Sequence, residues 1–391
     1  MIYLNNAATS FPKPKRVKNA VAQHLNSPPF HAGRTGYDLQ QKDIILSCRK
    51  VLASLLHIKN PERIVFTSGA TESLCLAIFG LELRDKAHVI TTAIEHNSVL
   101  RPLKTLEKEG AITLTVIPCN SAGKVEASSV IKQIGDETRV VVVNHCSNVS
   151  GAVTDLAEIG KVTSAKDVVF LVDAAQSAGN IPLNVEEMHI DLLAFTGHKA
   201  LHGIQGIGGL FIRESVNIKP LKVGGTGVKS DYLLQPEAMP LYYEAGTQNM
   251  PGIVSLYEGV SLVLEKGIKV LQEVKAERVQ RMIDHLSKHD DIILYYPEDQ
   301  DGGTCLFSFN IKNMDPADLG YILENVFDII IRSGLHCAPL VHQALNSYPL
   351  GSIRVSPSHF TTDEEITFFL NAIDKICEGT STTDFITDNM E

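Results

Sequence analysis

The sequence predicts an α/β protein, with a large and mainly parallel sheet wrapped by helices and a smaller α+β domain attached. Three observations carry that expectation. The runs VVVV at 140–143 and VVFLV at 168–172 are continuously apolar and β-branched, the pattern of strands buried on both faces. Stretches of helical period fall between such runs, so strand and helix alternate through the first part of the chain. The last third instead mixes half-exposed strands with amphipathic helices, which suits an α+β unit.

Composition sets the limits. A length of 391 residues favours two domains, or one large domain with an appendage, and allows ample core. Apolar content of 44% and charged content of 20% argue against wholesale disorder. A formal charge of -10 gives no basic footprint for nucleic acid. No apolar run approaches the ~18 residues of a membrane span, and MIYLNNAATSFPKPKRV lacks the order of a signal peptide. The seven cysteines are scattered, odd in number and without a CxxC pair. They point to a reduced, cytoplasmic protein with no disulfide framework and no metal site.

Taken in order, IYLNNAATS reads as a short strand running into small polar residues. A helix follows from Pro14, with Val17, Val21 and Leu25 at helical spacing. SPPFHAGRTGYD is a loop whose His31 and Arg34 face either ligand or solvent. A second amphipathic helix is expected from Leu39 to Leu56. RIVFTSGATESLCLAIFGL then gives a buried strand, a small-residue turn and a helix. The N-terminus of that helix is a ready anion site, to which Thr71 can add a hydroxyl. It is not a P-loop, because no Gly-Lys-Ser/Thr follows.

Strand AHVITTAIEH ends at Glu95 and His96 and leads into a helix from Val99. ITLTVIPC is a strand, and SAGKVEASSVIKQI a turn and helix. TRVVVVNHCSNVSG ends in Asn144, His145, Ser147 and Asn148. The adjacent pair His145-Cys146 does not make a metal site. VVFLVDAAQ ends in Asp173 and Gln176, and DLLAFTGHK ends in Thr196, Gly197, His198 and Lys199 before a glycine-rich strand. Right-handed crossovers bring the carboxyl ends of parallel strands to one edge. Thr71, His96, Asn148, Asp173, Gln176, His198 and Lys199 should therefore converge. Lysine can form a Schiff base, a carboxylate can keep a pyridinium nitrogen protonated, and hydroxyl, imidazole and N–H groups can bind phosphate. Taken alone, the pattern also fits ordinary polar residues at strand ends.

Beyond Pro251 two amphipathic helices meet near Gly267. DIILYYP and TCLFSFNI follow as half-exposed strands, ADLGYILENVF as a helix, DIIIRSG and SIRVSPS as strands, and TDEEITFFLNAIDKICEG as a helix. The expected division is a large domain at 15–255, a small one formed by 1–14 with 256–379, and a frayed tail at 380–391. Six cysteines read as small buried hydrophobes. Cys337 stands apart, because it follows His336 in a loop close to Arg332, and nearby cations favour a thiolate nucleophile.

SGATES, EHNS, SNVSG, VDAAQSAG, FTGHK, EAGTQN and RSGLHC together resemble the cysteine desulfurase and selenocysteine lyase branch of the class V aminotransferases. The resemblance runs from Leu4 to about Ile376. It implies fold type I, with a seven-stranded-type domain for pyridoxal 5'-phosphate (PLP). Lys199 resembles the lysine bonded to the cofactor, Asp173 the carboxylate at the pyridine nitrogen, and Gln176 the partner of the phenolic oxygen. His96 is similar to the histidine stacked on the ring. Ala70, Thr71, Thr196 and His198 match the phosphate cradle, and Asn148 the asparagine near ring oxygen and substrate. Thr247 matches a residue that reaches the phosphate of a partner subunit, which implies a homodimer with shared sites. Arg354 resembles the arginine for the substrate carboxylate, with Arg332 beside it, and Cys337 the catalytic cysteine on a short loop. The implied reaction turns L-cysteine, or L-selenocysteine, into alanine. The sulfur passes to Cys337 as a persulfide and then to an acceptor protein or thiol. The alternative is another reaction of the same cofactor, an aminotransferase or β-lyase, with Cys337 structural. The loop between Cys337 and Arg354 and the segment around Arg34 both depart from the family's usual form.

Overall fold

The computed structural model describes residues 1–28, 43–228 and 231–379. Its centre is a seven-stranded sheet built from β2 (Ile64–Thr67), β3 (Ala87–Thr92), β4 (Ile112–Ile117), β5 (Thr138–Asn144), β6 (Val169–Asp173), β7 (Leu192–Thr196) and β8 (Gly208–Ile212). The spatial order is β2-β8-β7-β6-β5-β3-β4. Neighbours from β7 to β4 pair in parallel, whereas β8 runs antiparallel to both β7 and β2. The sheet is thus mainly parallel, as expected, with one reversed strand.

Burial on both faces explains the apolar runs. Val141, Val143, Phe170 and Val172 enter one core beside Leu52, Leu56, Ile253 and Val260. Their neighbours Val140, Val142 and Leu171 enter the opposite core beside Leu74, Ile78, Val99 and Leu103. Successive side chains along a strand point to opposite faces, so a strand with a core on each side has no polar positions to offer. The first core is covered by α2 (Ile44–Leu56) and α7 (Met250–Lys266), with α5 (Ala127–Ile131) and α6 (Leu156–Ala165). The second is covered by α3 (Ala70–Gly80) and α4 (Asn97–Lys108). Helix α1 (Lys15–Leu25) packs on α7.

A second layer holds β9 (Ile292–Tyr295), β10 (Phe307–Ile311), β12 (Arg332–Gly334) and β13 (Ser352–Val355) in one antiparallel sheet of order β12-β13-β10-β9. With it go α8 (Ile268–Leu286), α9 (Pro316–Asn325), α10 (Pro339–Ala344) and α11 (Asp363–Cys377). Its core joins Met282, Phe307, Phe309, Ile353 and Phe369 to Leu4 from the start of the chain. β1 (Ile2–Tyr3) pairs in parallel with β11 (Ile329–Ile330). The stretch DIIIRSG, expected as one strand, divides because β11 bonds to β1 while β12 bonds to β13. The second helix is described from Ile44, where Asp43 caps the N–H of Leu46; positions 39–42 lie outside the described residues. So do His31 and Arg34, together with the tail at 380–391. No helix among the described residues is long and apolar enough to cross a membrane.

Candidate active site

The carboxyl ends of the strands surround a cavity of about 410 Å³, within the range of small-molecule sites. Thr67 and Thr196 both lie opposite Gly208, so the turn after β2 is held against the end of β7. A Cβ on Gly208 would come within 2.6 Å of the Gly69 Cα, so only glycine permits that approach. Gly69 begins α3 and no side chain caps it. The first turn of the helix, with Ala70 and Thr71, therefore lines the cavity with N–H groups free for an anion. Thr71 Oγ1 is 2.8 Å from Ser98 Oγ.

His96 has two jobs set by its position. It is the N-cap of α4, where its Nδ1 accepts from the Ser98 N–H at 3.0 Å. An accepting Nδ1 puts the ring proton on Nε2 in the neutral tautomer. Burial, followed by the charge of Lys199, lowers its pKa to about 4. At neutral pH the ring facing the cavity is uncharged.

Asp173 ends β6 in line with Asn144 on β5 and Ala194 on β7. Its Oδ1 accepts from Ala175 N–H at 2.9 Å, and burial raises its pKa. Gln176 donates from Nε2 to the carbonyl of Ala7 at 2.9 Å. Lys199 and His198 follow β7 directly and line the cavity. Burial lowers the Lys199 amine to about 8, although Asp173 acts in the opposite sense. The His198 carbonyl accepts from Lys13 Nζ at 2.9 Å, whereas its buried Nδ1 has no partner among the described residues. Burial and Lys199 lower the His198 ring to about 4.

The other wall belongs to β12 and β13. Arg354 is 1% exposed, donates to the carbonyl of Asn148 at 3.0 Å and to Asn5 Oδ1 at 3.2 Å, and its Nε has no partner among the described residues. Burial lowers its pKa to about 9, with Arg332 adding to the effect. No carboxylate pairs with Arg332 or Arg354 among the described residues. Two guanidinium groups facing one cavity without a carboxylate partner can receive an anion from outside.

Cys337 sits at this wall in an unusual backbone. His336 and Cys337 both have left-handed φ, 49° and 60°. Non-glycine residues pay for that conformation, so the loop must be held by its surroundings. Asn148 Nδ2 donates to the His336 carbonyl at 2.7 Å, Asn97 N–H donates to the Cys337 carbonyl at 2.7 Å, and His336 Nε2 donates to the carbonyl of Ser352 at 3.0 Å. Arg332 reaches to 3.6 Å from the Cys337 Sγ.

Ala70, Thr71, His96, Asn148, Asp173, Gln176, Thr196, His198, Lys199, Arg332 and Arg354 all line the one cavity. Thr247 does not. It lines an adjoining cleft that shares Ser68, Glu72 and Gly206 with the cavity. Sequence reasoning missed Asn5 and Ala7, which partner Arg354 and Gln176, and Ser98, which bonds Thr71 and His96. The run of small polar residues in NNAATS was the available signal for the first two, and a place two residues after the N-cap His96 for the third.

The aminotransferase class-V family model matches residues 2–369. A probable cysteine desulfurase of Methanothermobacter thermautotrophicus is 31% identical over 385 residues, covering 96% of this chain and 94% of the relative. An apo structure of a cysteine desulfurase from Thermococcus onnurineus NA1 superposes with a TM-score of 0.89 at 31% identity, covering 97% of this chain and 95% of that one. The crystal structure of the cysteine desulfurase CsdA (S-sulfonic acid) from Escherichia coli gives a TM-score of 0.87 at 25% identity, over 96% of this chain and 94% of the other. With the match running through both layers and all the strand ends around the cavity, this chain belongs to the aminotransferase class-V family.

Proposed function

We propose that the protein is a PLP-dependent cysteine desulfurase that converts L-cysteine to L-alanine and takes the sulfur onto Cys337. The observation that carries this reading is that Arg332, which lines the cavity with Lys199 and Asp173, lies 3.6 Å from the Cys337 Sγ. Relatives named cysteine desulfurase that align over nearly the whole chain support it.

The cavity has the features PLP requires. Asp173 is a buried carboxylate with a raised pKa, and a pyridinium nitrogen supplies the missing counter-charge. The uncapped start of α3 and the unpartnered His198 Nδ1 suit a phosphate. Ala70, Thr71, Thr196 and His198 would hold that phosphate, Asp173 the ring nitrogen, Gln176 and Asn148 the ring oxygen, and His96 the ring face. When bound, PLP supplies a carbon that takes the substrate amine and a ring that accepts electrons from the α-carbon.

The chain's own groups do the rest. Arg354 binds the substrate carboxylate and Arg332 lies alongside. Lys199, an amine at about 8, accepts the α-proton and returns protons to the carbon skeleton. Arg332 supplies the counter-charge for a Cys337 thiolate. The thiolate attacks the substrate sulfur, so an S–S bond forms while the C–S bond breaks. The bonding pair leaves with the carbon, a proton follows, and alanine departs. The persulfide then passes to an acceptor protein or a small thiol. L-selenocysteine would be cleaved by the same groups.

The proposed assembly is a cytoplasmic homodimer. Leu221, Val223, Tyr232, Leu233 and Leu234 are exposed, Leu233 by 96%. Apolar surface of this kind fits a second copy, and Thr247 would reach the partner's phosphate. Sedimentation giving a monomer would remove that part of the reading.

Cys337→Ala tests the chemistry. The expected variant retains PLP absorbance but releases no sulfur from L-cysteine, with alanine and sulfide measured together. Undiminished sulfur release would instead make Cys337 structural and the enzyme a β-lyase or aminotransferase. A parent enzyme giving alanine from neither L-cysteine nor L-selenocysteine would point the same way.

A further inference from the structure

Outside the cavity, one grouping among the described residues brings three potential metal ligands together: His285, His289 and Asp374, whose ligand atoms all lie within 4.8 Å of one another. His285 is in the last turn of α8, His289 follows just beyond its end, and Asp374 is in the last turns of α11. The histidines stand at i and i+4, which places both imidazoles on one side of the helix end. His285 Nε2 lies 2.8 Å from Asp374 Oδ1 and 3.0 Å from Oδ2, while His289 Nε2 lies 2.8 Å from the same Oδ1. The same nitrogen of each ring thus converges on one carboxylate oxygen. The three side chains are 27–32% exposed, so a solute reaches them from one side.

We propose that His285, His289 and Asp374 bind one divalent cation of the zinc class and thereby staple α8 to α11. The donor set selects the cation. Magnesium and calcium take oxygen ligands, whereas two imidazoles with one carboxylate suit zinc and its borderline neighbours. Three protein ligands leave a fourth position for water. Zinc–ligand lengths of about 2.0–2.1 Å put tetrahedral donors ~3.3 Å apart. The nitrogens now at 2.8 Å from the carboxylate need open by only about half an ångström. Each imidazole gives up its Nε2 proton to solvent and binds through that nitrogen with the ring proton on Nδ1, and no redox change occurs. Helices α8 and α11 pack on each other and share the core that carries β13 and its Arg354. The cation would therefore brace the layer that presents the substrate-facing arginines without touching the reaction.

The sequence held the signal. HLSKH is an i, i+4 histidine pair, but it has no second pair to complete it, and Asp374 lies 85 residues further on.

The test is titration of chelator-treated holoenzyme with Zn2+, then with Co2+ as a spectroscopic probe. The parent should retain one equivalent of metal more per chain than H285Q/H289Q. Its Co2+ form should show the ligand-field bands of a four-coordinate nitrogen–oxygen site. D374N should weaken binding by more than the roughly tenfold that loss of an outer-shell partner costs. Zn2+ should raise the melting temperature of the parent and leave that of H285Q/H289Q unmoved, while both turn over L-cysteine alike. Equal metal content in parent and double variant overturns the proposal, as does binding to neither. So does a Co2+ spectrum dominated by thiolate charge transfer that vanishes in Cys337→Ala. Because the readout is metal rather than sulfur release, its failure is separate from any failure of the desulfurase reading.

Discussion

Asp173 and Lys199 reach the cavity from strands packed on both faces, with pairing fixed residue by residue across β5, β6 and β7. Arg332 reaches it from a three-residue strand, and Cys337 lies beside Arg332 on the loop that follows, where two successive residues hold left-handed backbone. The first wall is positioned by the register of a sheet. In the second, β12 pairs with β13, but the loop that carries Cys337 is held by single hydrogen bonds from Asn148, Asn97 and His336. A wall set by a sheet tolerates loss of a side chain and keeps its shape. A loop held by three bonds loses its geometry with any one of them. Binding of a cofactor and transfer of sulfur should therefore be separable by mutation.

The most severe test of that separation is Lys199→Ala. It should lower alanine formation from L-cysteine by about 10³-fold or more, since it removes the proposed proton carrier, with little change in thermal stability. A small loss of rate would break the assignment of the sheet wall to chemistry. Arg354→Lys comes next. It keeps a charge but loses the fork, so KM for L-cysteine should rise about tenfold to a hundredfold, the value of charge-assisted hydrogen bonds. An unchanged KM would place the substrate carboxylate elsewhere. Asn148→Ala acts on the loop. It frees the His336 carbonyl and should cost about 1–3 kcal/mol of stability. Sulfur transfer should fall more than PLP affinity, and equal losses would show that the two walls are not independent.

Glu95→Gln is the mildest. Glu95 is buried beside β5, accepts from Asn144 N–H at 2.8 Å and Thr92 Oγ1 at 2.6 Å, and burial raises its pKa to about 8. The folded state therefore holds a proton that the unfolded chain releases near pH 4.3. Stability from this group is complete below about pH 4.3 and is lost as pH rises through about 8. Glutamine does not titrate. The variant should match the parent in acid and melt a few degrees higher near pH 8, as thermal scans across that range would show. A gap of the same size at both ends would mean that Glu95 is already ionised in the fold.

The two walls also differ in how legible they were. VVVV, VVFLV and the polar residues after them marked β5, β6 and β7, because a strand between two cores admits no polar position and its end is forced to the sheet edge. The reversed direction of β8 left no trace in its residues, since a buried strand reads alike in either direction. On the loop wall the sequence marked Cys337 through its motif, but not the bonds that hold it. Those come from Asn148 and Asn97, far away in the chain, and no local pattern encodes a partner 188 residues distant. DIIIRSG misled for the same reason, as its division depends on whether β1 or β13 lies alongside.

The pairing of β1 with β11 bears on how the protein is made. Ile2 lies opposite Ile329, Ala7 bonds Gln176, and Asn5 bonds Arg354, which the ribosome adds 349 residues later. At ordinary elongation rates the first residues wait roughly 20–70 seconds for that arginine. The seven strands of the large sheet are complete long before then, at Ile212. A nascent chain thus carries a folded sheet whose reaction chamber lacks a wall and whose leading segment finds only part of its docking surface. Chaperones and proteases meet that half-built form, and sulfur chemistry begins only after the last quarter of the chain has closed over the first few residues.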